Sequence, residues 1–312
     1  MTRFWKAGLL AAGLLMPGAA LAQVDYPVDT VRVFVPASPG GGTDAGARLF
    51  AEFFQKHSDA SLAIVNQPAG GGVVAAQTVA EGPSDGSVLF FFHAALHTAN
   101  LFGQSPFSWE SFTPLATTSE INEVYAVRED APFDTVDELI AYAKEHPGEL
   151  NIGSQLGGTT QVKGEALNQA TGGNMRIVDA GTESDRITAL LGSQVDVISM
   201  SVANAKQYAE DGQMIVLALM NETPDPAAPE FPTTVSQGID FSLPLVMTVY
   251  GPGEVDQAAV DAFDQIVAEI KADPEFAEAL AKQSQAPALR GPEAAAGFLA
   301  GEHETIAGLL GK

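Results

Sequence analysis

The strongest constraint on this chain is a unit that recurs along it: a short β-branched run, a glycine-rich loop, then a segment with apolar residues at helical spacing. Strands that alternate with helices in this way build an α/β fold, because parallel strands need a crossover helix between them. The run VRVFV at 31–35 is followed by the loop PASPGGGTD at 36–44 and by a helix carrying Leu49, Phe50, Phe53 and Phe54 on one face. Residues 62–65 and the unbroken apolar run 88–92 read as further strands around a helix at 74–80, and so do 124–127, 151–153, 177–178, 195–199 and 214–219. Helical periodicity marks 135–145, with Thr135 as its start and Pro147-Gly148 as its stop. It also marks 162–170 and a third helix in this half with Ile187, Leu190 and Leu191 turned inward. An extended run at 242–250, a helix at 255–270 and a helical pair at 276–282 and 292–310 close the chain. Sheets that are mostly parallel and flanked by helices are expected. The 312 residues, 46% apolar, suffice for two cores, and the proline-rich stretch at 223–232 is a candidate boundary.

Charge and cysteine content narrow the function. Fifteen Lys and Arg stand against 39 Asp and Glu, a net charge of −24, so no basic face exists for nucleic acid. With no Cys, disulfides, thiol catalysis and Cys-ligated metals are excluded. The N-terminus reads as an export signal: Arg3 and Lys6, an apolar stretch over 7–16, then Ala20-Leu21-Ala22 before Gln23. Removal of residues 1–22 would leave 290 residues and a net charge of −26. A periplasmic, exported protein is expected.

Four loops carry the chemistry: 36–44, 66–72, 153–160 and 180–185, each placed between a strand end and a helix start. Free backbone N–H groups and the helix dipole favour an anion there, and glycine lets it approach. Together they predict a cleft at strand carboxyl ends for a small polar or anionic ligand. The pattern Gly40-x-Gly42-x-x-Ala45 lacks the acid of a dinucleotide site, since Asn66-Gln67 stands at the end of the second strand, and no Walker loop is present. His93 and His97 have the spacing of a metal pair on a helix, but they follow a strand directly and read as polar loop residues lining the cleft. Ser154 lacks a nucleophile elbow. Asp44 reads first as a helix cap, and Arg48 and Arg186 as helix-surface ion pairs.

At these residues the chain resembles the periplasmic substrate-binding receptors of tripartite tricarboxylate transporters, the Bug family. The likeness runs from Tyr26-Pro27 into VRVFVPASPGGGTDAGAR, then VNQPAGGGVVAAQTVAEGPSDGSVLFF, FTPLATTSE, TVDELIAYAKEHPGELNIGSQLGGTT, ITALLGSQVDV, PEFPTTVSQG and VYGPGEV. The resemblance implies a two-lobed α/β clamshell of the type II-like periplasmic-binding-protein kind with two crossings between lobes. One lobe would comprise 23–120 and 235–312, the other 121–234. It implies a small di- or tricarboxylate-like ligand held by loop amides and hydroxyls, membrane permease subunits as partners, a monomer, and no cofactor or metal. The implied ligand contacts are Ser38, Gly41, Gly42, Thr43 and Asp44 in the first loop, Gly71 in the second, and His93. In the other lobe they are Ser154, Gly158, Thr159 and Thr160, then Gly181, Thr182 and Glu183. Glu183 and Asp185 add negative charge where family ligands carry carboxylates; they either point away or meet a ligand's amine or hydroxyl. The alternative is an exported α/β hydrolase or transferase acting on a small anionic substrate, for which no convincing nucleophile, acid–base pair or metal set is seen.

Overall fold

The computed structural model describes residues 23–312; the expected export signal at 1–22 lies outside the described residues. The chain first lays down β1 (Thr30–Val35), α1 (Gly42–His57), β2 (Ser61–Asn66), α2 (Val73–Ala80), β3 (Val88–Phe92), α3 (Ala95–Leu101) and β4 (Thr113–Ile121). After Asn122 it builds a second sheet from β5 (Glu123–Arg128), α4 (Val136–Glu145), β6 (Asn151–Ser154), α5 (Thr159–Ala170), β7 (Arg176–Asp179), α6 (Glu183–Leu191), β8 (Val197–Ser201), α7 (Val202–Glu210) and β9 (Met214–Leu219). It then returns to the first sheet with β10 (Leu245–Gly251), α8 (Gln257–Ala272), α9 (Pro274–Ala281) and β11 (Ala286–Arg290), and ends in α10 (Pro292–Leu309). The first sheet has the order β11-β4-β10-β3-β1-β2 and the second β7-β6-β8-β5-β9.

Each sheet is covered on both faces, which is why β3 can be apolar throughout and buried throughout. On one face of the first sheet α1 and α8 pack around Phe50, Phe54 and Phe263, with Tyr26 edge-on to Phe54. On the other, α2 sets Ala75, Ala76 and Val79 against Phe90 and Phe92. In the second sheet α4 and α5 cover one face, and α6 and α7 the other.

Two expectations are corrected, and one strand is added that the sequence did not mark. The sheets are mixed, with four parallel and five antiparallel ladders, because the strands next to the crossings, β4 with β10 and β5 with β9, run out and back. Leu191 is exposed rather than buried, since Leu190 takes the inward position at the helix end. Strand β4 was hidden by its polar centre. Thr117, Thr118 and Ser119 are buried there because their hydroxyls bond to Ala288 O, Met247 O and the Gln285 amide oxygen.

The chain crosses between sheets at Asn122 and again between Leu219 and Leu245. The two crossings are tied together: Asn122 Nδ2 donates to Asp225 at 2.9 Å, and its Oδ1 accepts from Asn221 at 3.1 Å. Ile239, Phe241 and Leu243, beyond the expected boundary at 235, pack in the core of the second sheet. Helix α10 adds a further link, with Leu299 in a first-sheet core and Ile306 in a second-sheet core.

Candidate ligand-binding site

Strand register places the glycine loops. Val35 of β1 pairs with Asn66 of β2, and Phe34 with Phe90 of β3, so three parallel strands end at one edge. The loops at 36–41 and 67–72 leave from that edge. They touch: a side chain at Gly72 would meet Phe92 at 3.0 Å and Pro36 at 3.3 Å, and Gly72 has φ +100°. Thr248 of β10 lies level with Phe92 and with Thr117, so residues 118–121 of β4 run beyond the edge toward the crossing. The start of α1 abuts that extension, where a Cβ on Gly42 would come within 2.9 Å of Ile121 Cδ1.

The second sheet presents the matching edge. Glu123, the first residue of β5, pairs with Ser201 at the end of β8, and Val124 pairs with Leu219 at the end of β9. The ends of β6 and β7 are level through Ser154 and Asp179, and Gly153 pairs with Ile198. Four strands therefore end where β5 enters, and the loops at 155–158 and 180–182 leave from there. One residue, Asn122, separates the two sheets at this point, so the carboxyl edges are opposed across the crossing.

Hydrogen bonding sorts the candidate residues. In the first loop Asp44 does not cap α1; the N-cap is Gly41. The Asp44 carboxylate is buried and accepts from Gly40 N at 2.8 Å, Arg48 Nε at 3.0 Å and Asn66 Nδ2 at 2.8 Å. Burial penalises its charge, but the bonds from Arg48, Gly40 and Asn66 outweigh burial and hold the carboxyl below its usual range. Asp44 is thus a brace for the loop rather than a group facing a ligand. Arg48 keeps the expected ion pair and also reaches Asn66 Oδ1. Ser38 and Gly41 are exposed, and Ser38 O accepts from Gly41 N at 3.3 Å. Gly71 is exposed in the second loop. The first-turn amides of Gly42 and Thr43 have no partner among the described residues.

In the second lobe Ser154 is fully buried and donates to Thr160 O, so it supports the loop from beneath instead of lining it. Thr160 Oγ1 accepts from Gln155 N at 2.8 Å, and Gly157 N donates to Gln161 Oε1 at 2.8 Å. Gly158 is the N-cap of α5, and its own N–H donates to Gln155 O. The first-turn amides of Thr159 and Thr160, and the Thr159 hydroxyl, have no partner among the described residues. Thr182 forms a capping box with Asp185, whose carboxyl the Thr182 hydroxyl and amide hold below its usual range. Gly181 has φ +69° and passes its N–H to Asp179. Glu183 Oε1 accepts from Ser201 Oγ at 2.8 Å and Asn204 Nδ2 at 2.6 Å, joining the starts of α6 and α7.

Two readings of titratable residues change, and a third is sharpened. Arg186 is buried, not a surface ion pair, and donates to Ser199 O and Gly181 O beneath the loop. His97 is not in a loop: it lies fully buried on α3, with Nε2 3.0 Å from Glu302 on α10, and belongs to helix packing. His93 follows β3. Burial and the nearby Lys163 ammonium push its imidazole down to about 4, so it is neutral at pH 7. Its Nδ1 accepts from Ala95 N, which leaves Nε2–H as a donor. The residues not anticipated are Asn66, Asp179, Ser201 and Asn204. Of these, Ser201 follows an apolar strand and starts a helix, a capping signal readable in the sequence. Among the described residues no cluster of His, Cys, Asp or Glu is placed to hold a metal, and no helix is long and apolar enough to cross a membrane.

Two α/β sheets with opposed, donor-bearing carboxyl edges form the frame of a solute receptor. Residues 47–305 match the receptor family of the tripartite tricarboxylate transporters. The chain belongs to this family. The receptor is 24% identical over 308 residues to protein BugT of Bordetella pertussis, covering 97% of this chain and 94% of that one. It superposes on a TctC solute-binding protein from Polaromonas with a TM-score of 0.80 and 27% identity, over 92% of this chain and 99% of that chain. MatC of Rhodopseudomonas palustris, solved with bound malate, shares the fold at a TM-score of 0.74 and 24% identity, over 91% and 99% of the two chains. Family and neighbours are solute-binding receptors, so the enzyme alternative falls.

The depressed carboxyls predict the receptor's acid response. Asp44, Asp185 and Asp273 all sit below the ordinary aspartate range; for Asp273, the bonds from Lys56 and His57 outweigh the penalty of burial. A lowered folded-state value adds stability above the unfolded value and loses it as pH falls through the folded one. The carboxyl contribution should therefore hold from neutrality to about pH 5 and be lost below about pH 4, while His93, held down to about 4 in the folded state against about 6.5 unfolded, already draws the thermal midpoint down as pH falls below about 6.5. Asp44→Asn should show a shallower fall in the same scan, and an unchanged slope would mean the Asp44 contacts do not carry the effect.

Proposed function

We propose that this receptor is exported to the periplasm, holds a small carboxylate between the two edges, and delivers it as a monomer to the membrane permease subunits of a tripartite tricarboxylate transporter. The observation that carries this reading is the pair of unengaged helix starts on opposite edges, Gly42 and Thr43 of α1 and Thr159 and Thr160 of α5. Each main-chain or hydroxyl donor to a carboxylate contributes about 1.5–3 kcal/mol, so four or five suffice for useful affinity. Closure of the lobes would complete the site and exclude water. The malate bound by MatC supports a carboxylate as the ligand class. The net charge, −24 for the whole chain and −26 without residues 1–22, does not attract an anion, but screening over about 8 Å at physiological salt leaves local donors to decide.

Thermal shift and calorimetry of the mature protein against mono-, di- and tricarboxylates test this, with native mass spectrometry for a co-purified acid. Saturable stabilisation with the acid recovered unchanged is expected. Thr159→Ala should weaken binding about 5- to 10-fold, the loss of one hydroxyl bond, with little change in the apo midpoint. Absence of any shift across the panel overturns the proposal.

A further inference from the structure

We infer that Gln285 is a positioning residue of the first-sheet half-site: through the carbonyl of Gly42 it aims the Thr43 N–H at the ligand and ties that donor to the end of β4. This rests on the receptor reading above and names a residue, remote in sequence from the loops, that sets how well the half-site binds.

Gln285 lies between α9 and β11. Ser284 before it takes φ +55°, and Ala286 after it pairs with Glu120 of β4. Gln285 is only 7% exposed, and its side chain reaches the start of α1. Nε2 donates to Gly42 O at 3.1 Å, and Oε1 accepts from Ser119 Oγ at 2.8 Å. Chemistry fixes which end faces which partner. A carbonyl oxygen only accepts, so Nε2 must face Gly42 O, and the Ser119 hydroxyl then supplies the proton to Oε1. Gly46, one turn along α1, leaves room for the amide: a Cβ there would lie 3.1 Å from Gln285 Oε1 and 3.6 Å from Ser119 Oγ. Buried with both polar ends engaged, the amide is held in one geometry, because leaving either end unpaired is costly.

The peptide unit turns that geometry into function. The carbonyl of Gly42 and the N–H of Thr43 belong to one planar trans peptide and point in opposite directions, so holding the oxygen fixes where the hydrogen points. The Thr43 N–H has no partner among the described residues and is one of the donors on which carboxylate binding rests. A bond accepted at the carbonyl also polarises the peptide and strengthens its N–H as a donor. The Asp44 brace does not supply this, since its bonds run to Gly40, Arg48 and Asn66. Ser119 and Ile121, against which the Gly46 and Gly42 face of α1 rests, fall within the last three residues of β4. The donor is thereby registered to the strand that leads into the crossing at Asn122.

Calorimetry on the mature protein, with the tightest binder among lactate, malate, adipate and citrate, compares the unmodified chain with Gln285→Leu, which keeps the bulk and removes both bonds. Affinity should fall about tenfold, the scale of one charge-assisted bond. A second, local readout separates aiming from general loosening. In amide NMR spectra of nitrogen-labelled protein, the Thr43 signal should move upfield in ligand-free Gln285→Leu and lose most of its ligand-induced shift. The Thr159 and Thr160 amides on the opposite edge should keep theirs. Gly46→Ala crowds the same side-chain amide without removing it and should give the same pattern at smaller size; it carries the test if Gln285→Leu does not fold. Unchanged affinity in the folded variant overturns the inference and leaves the receptor reading standing. So does a loss of affinity in which Thr43 stays in place, or in which all three amides change alike. If none of the four acids binds, the receptor reading fails, and this inference with it.

Discussion

Lys163→Met is expected to destabilise the receptor by about 3–5 kcal/mol, the usual result of stranding one partner of a buried ion pair. Lys163 has no exposed surface, and its ammonium contacts Glu123, which is almost as deeply buried at the first position of β5. The same turn of α5 is bonded to the sheet through Tyr125, whose hydroxyl donates to Lys163 O at 2.6 Å. Without the ammonium, Glu123 must stay charged and unpaired, become protonated, or draw water into a core that includes Val162, Val197 and Leu217. Denaturant unfolding should therefore show a large loss in Lys163→Met and a much smaller one in Lys163→Met/Glu123→Gln. The double variant removes the stranded charge along with the pair. Because Glu123 adjoins the crossing residue Asn122, the single variant should also weaken ligand binding. A single variant within about 1 kcal/mol of the unmodified protein would show that the pair is not what anchors α5 to the crossing.

The second large effect is at Asp44. Its carboxylate, together with Asn66 and Arg48, forms a closed set of bonds that also includes Asn66 Nδ2 to Ala37 O at 3.0 Å. This set fastens both ends of the loop at 36–41, and the loop in turn sets the direction of the Gly42 and Thr43 amides. Asp44→Ala removes three acceptor contacts and leaves Asn66 short of partners. Three charge-assisted bonds, discounted because Arg48 is half exposed and keeps water, put the loss at about 2–4 kcal/mol. Binding should suffer more than stability, falling about tenfold or more, because helix-start donors act only when they converge. Asp44→Asn keeps the shape with a weaker acceptor and should fall between. Calorimetry with the tightest acid of the panel, alongside thermal midpoints, checks both quantities. Full affinity in Asp44→Ala would show that α1 holds its donors without the brace.

Much of the fold was legible. The apolar runs at 88–92 and 214–219 coincide with β3 and β9 because strands covered on both faces need no polar alternation. The elements that escaped were those whose stability comes from partners distant in sequence. Strand β4 is polar at its centre and is a strand because β10 and β11 supply both ladders and the hydroxyl acceptors. Helix α3 has seven residues, too few for a periodic signal, and is held where His97 meets Glu302 some two hundred residues later. The loops of the site were legible from their glycines, but the state of their donors was not. Asp44, Ser154 and Thr182 have the side chains expected of ligand contacts, yet each is turned toward its own loop or helix.

By itself the sequence determined the alternation of strand and helix, the four loops at strand ends, the excess of acid and the absence of thiol chemistry. All of these follow from local periodicity and composition, which act over a few residues and need no partner. Only the tertiary structure decided that the loops lie on two opposed edges, that the sheets are mixed, and which amides remain free to bind. Those outcomes depend on which strand pairs with which across long separations, and on which carboxylate reaches an N–H first, and neither is set by the residues on either side of it.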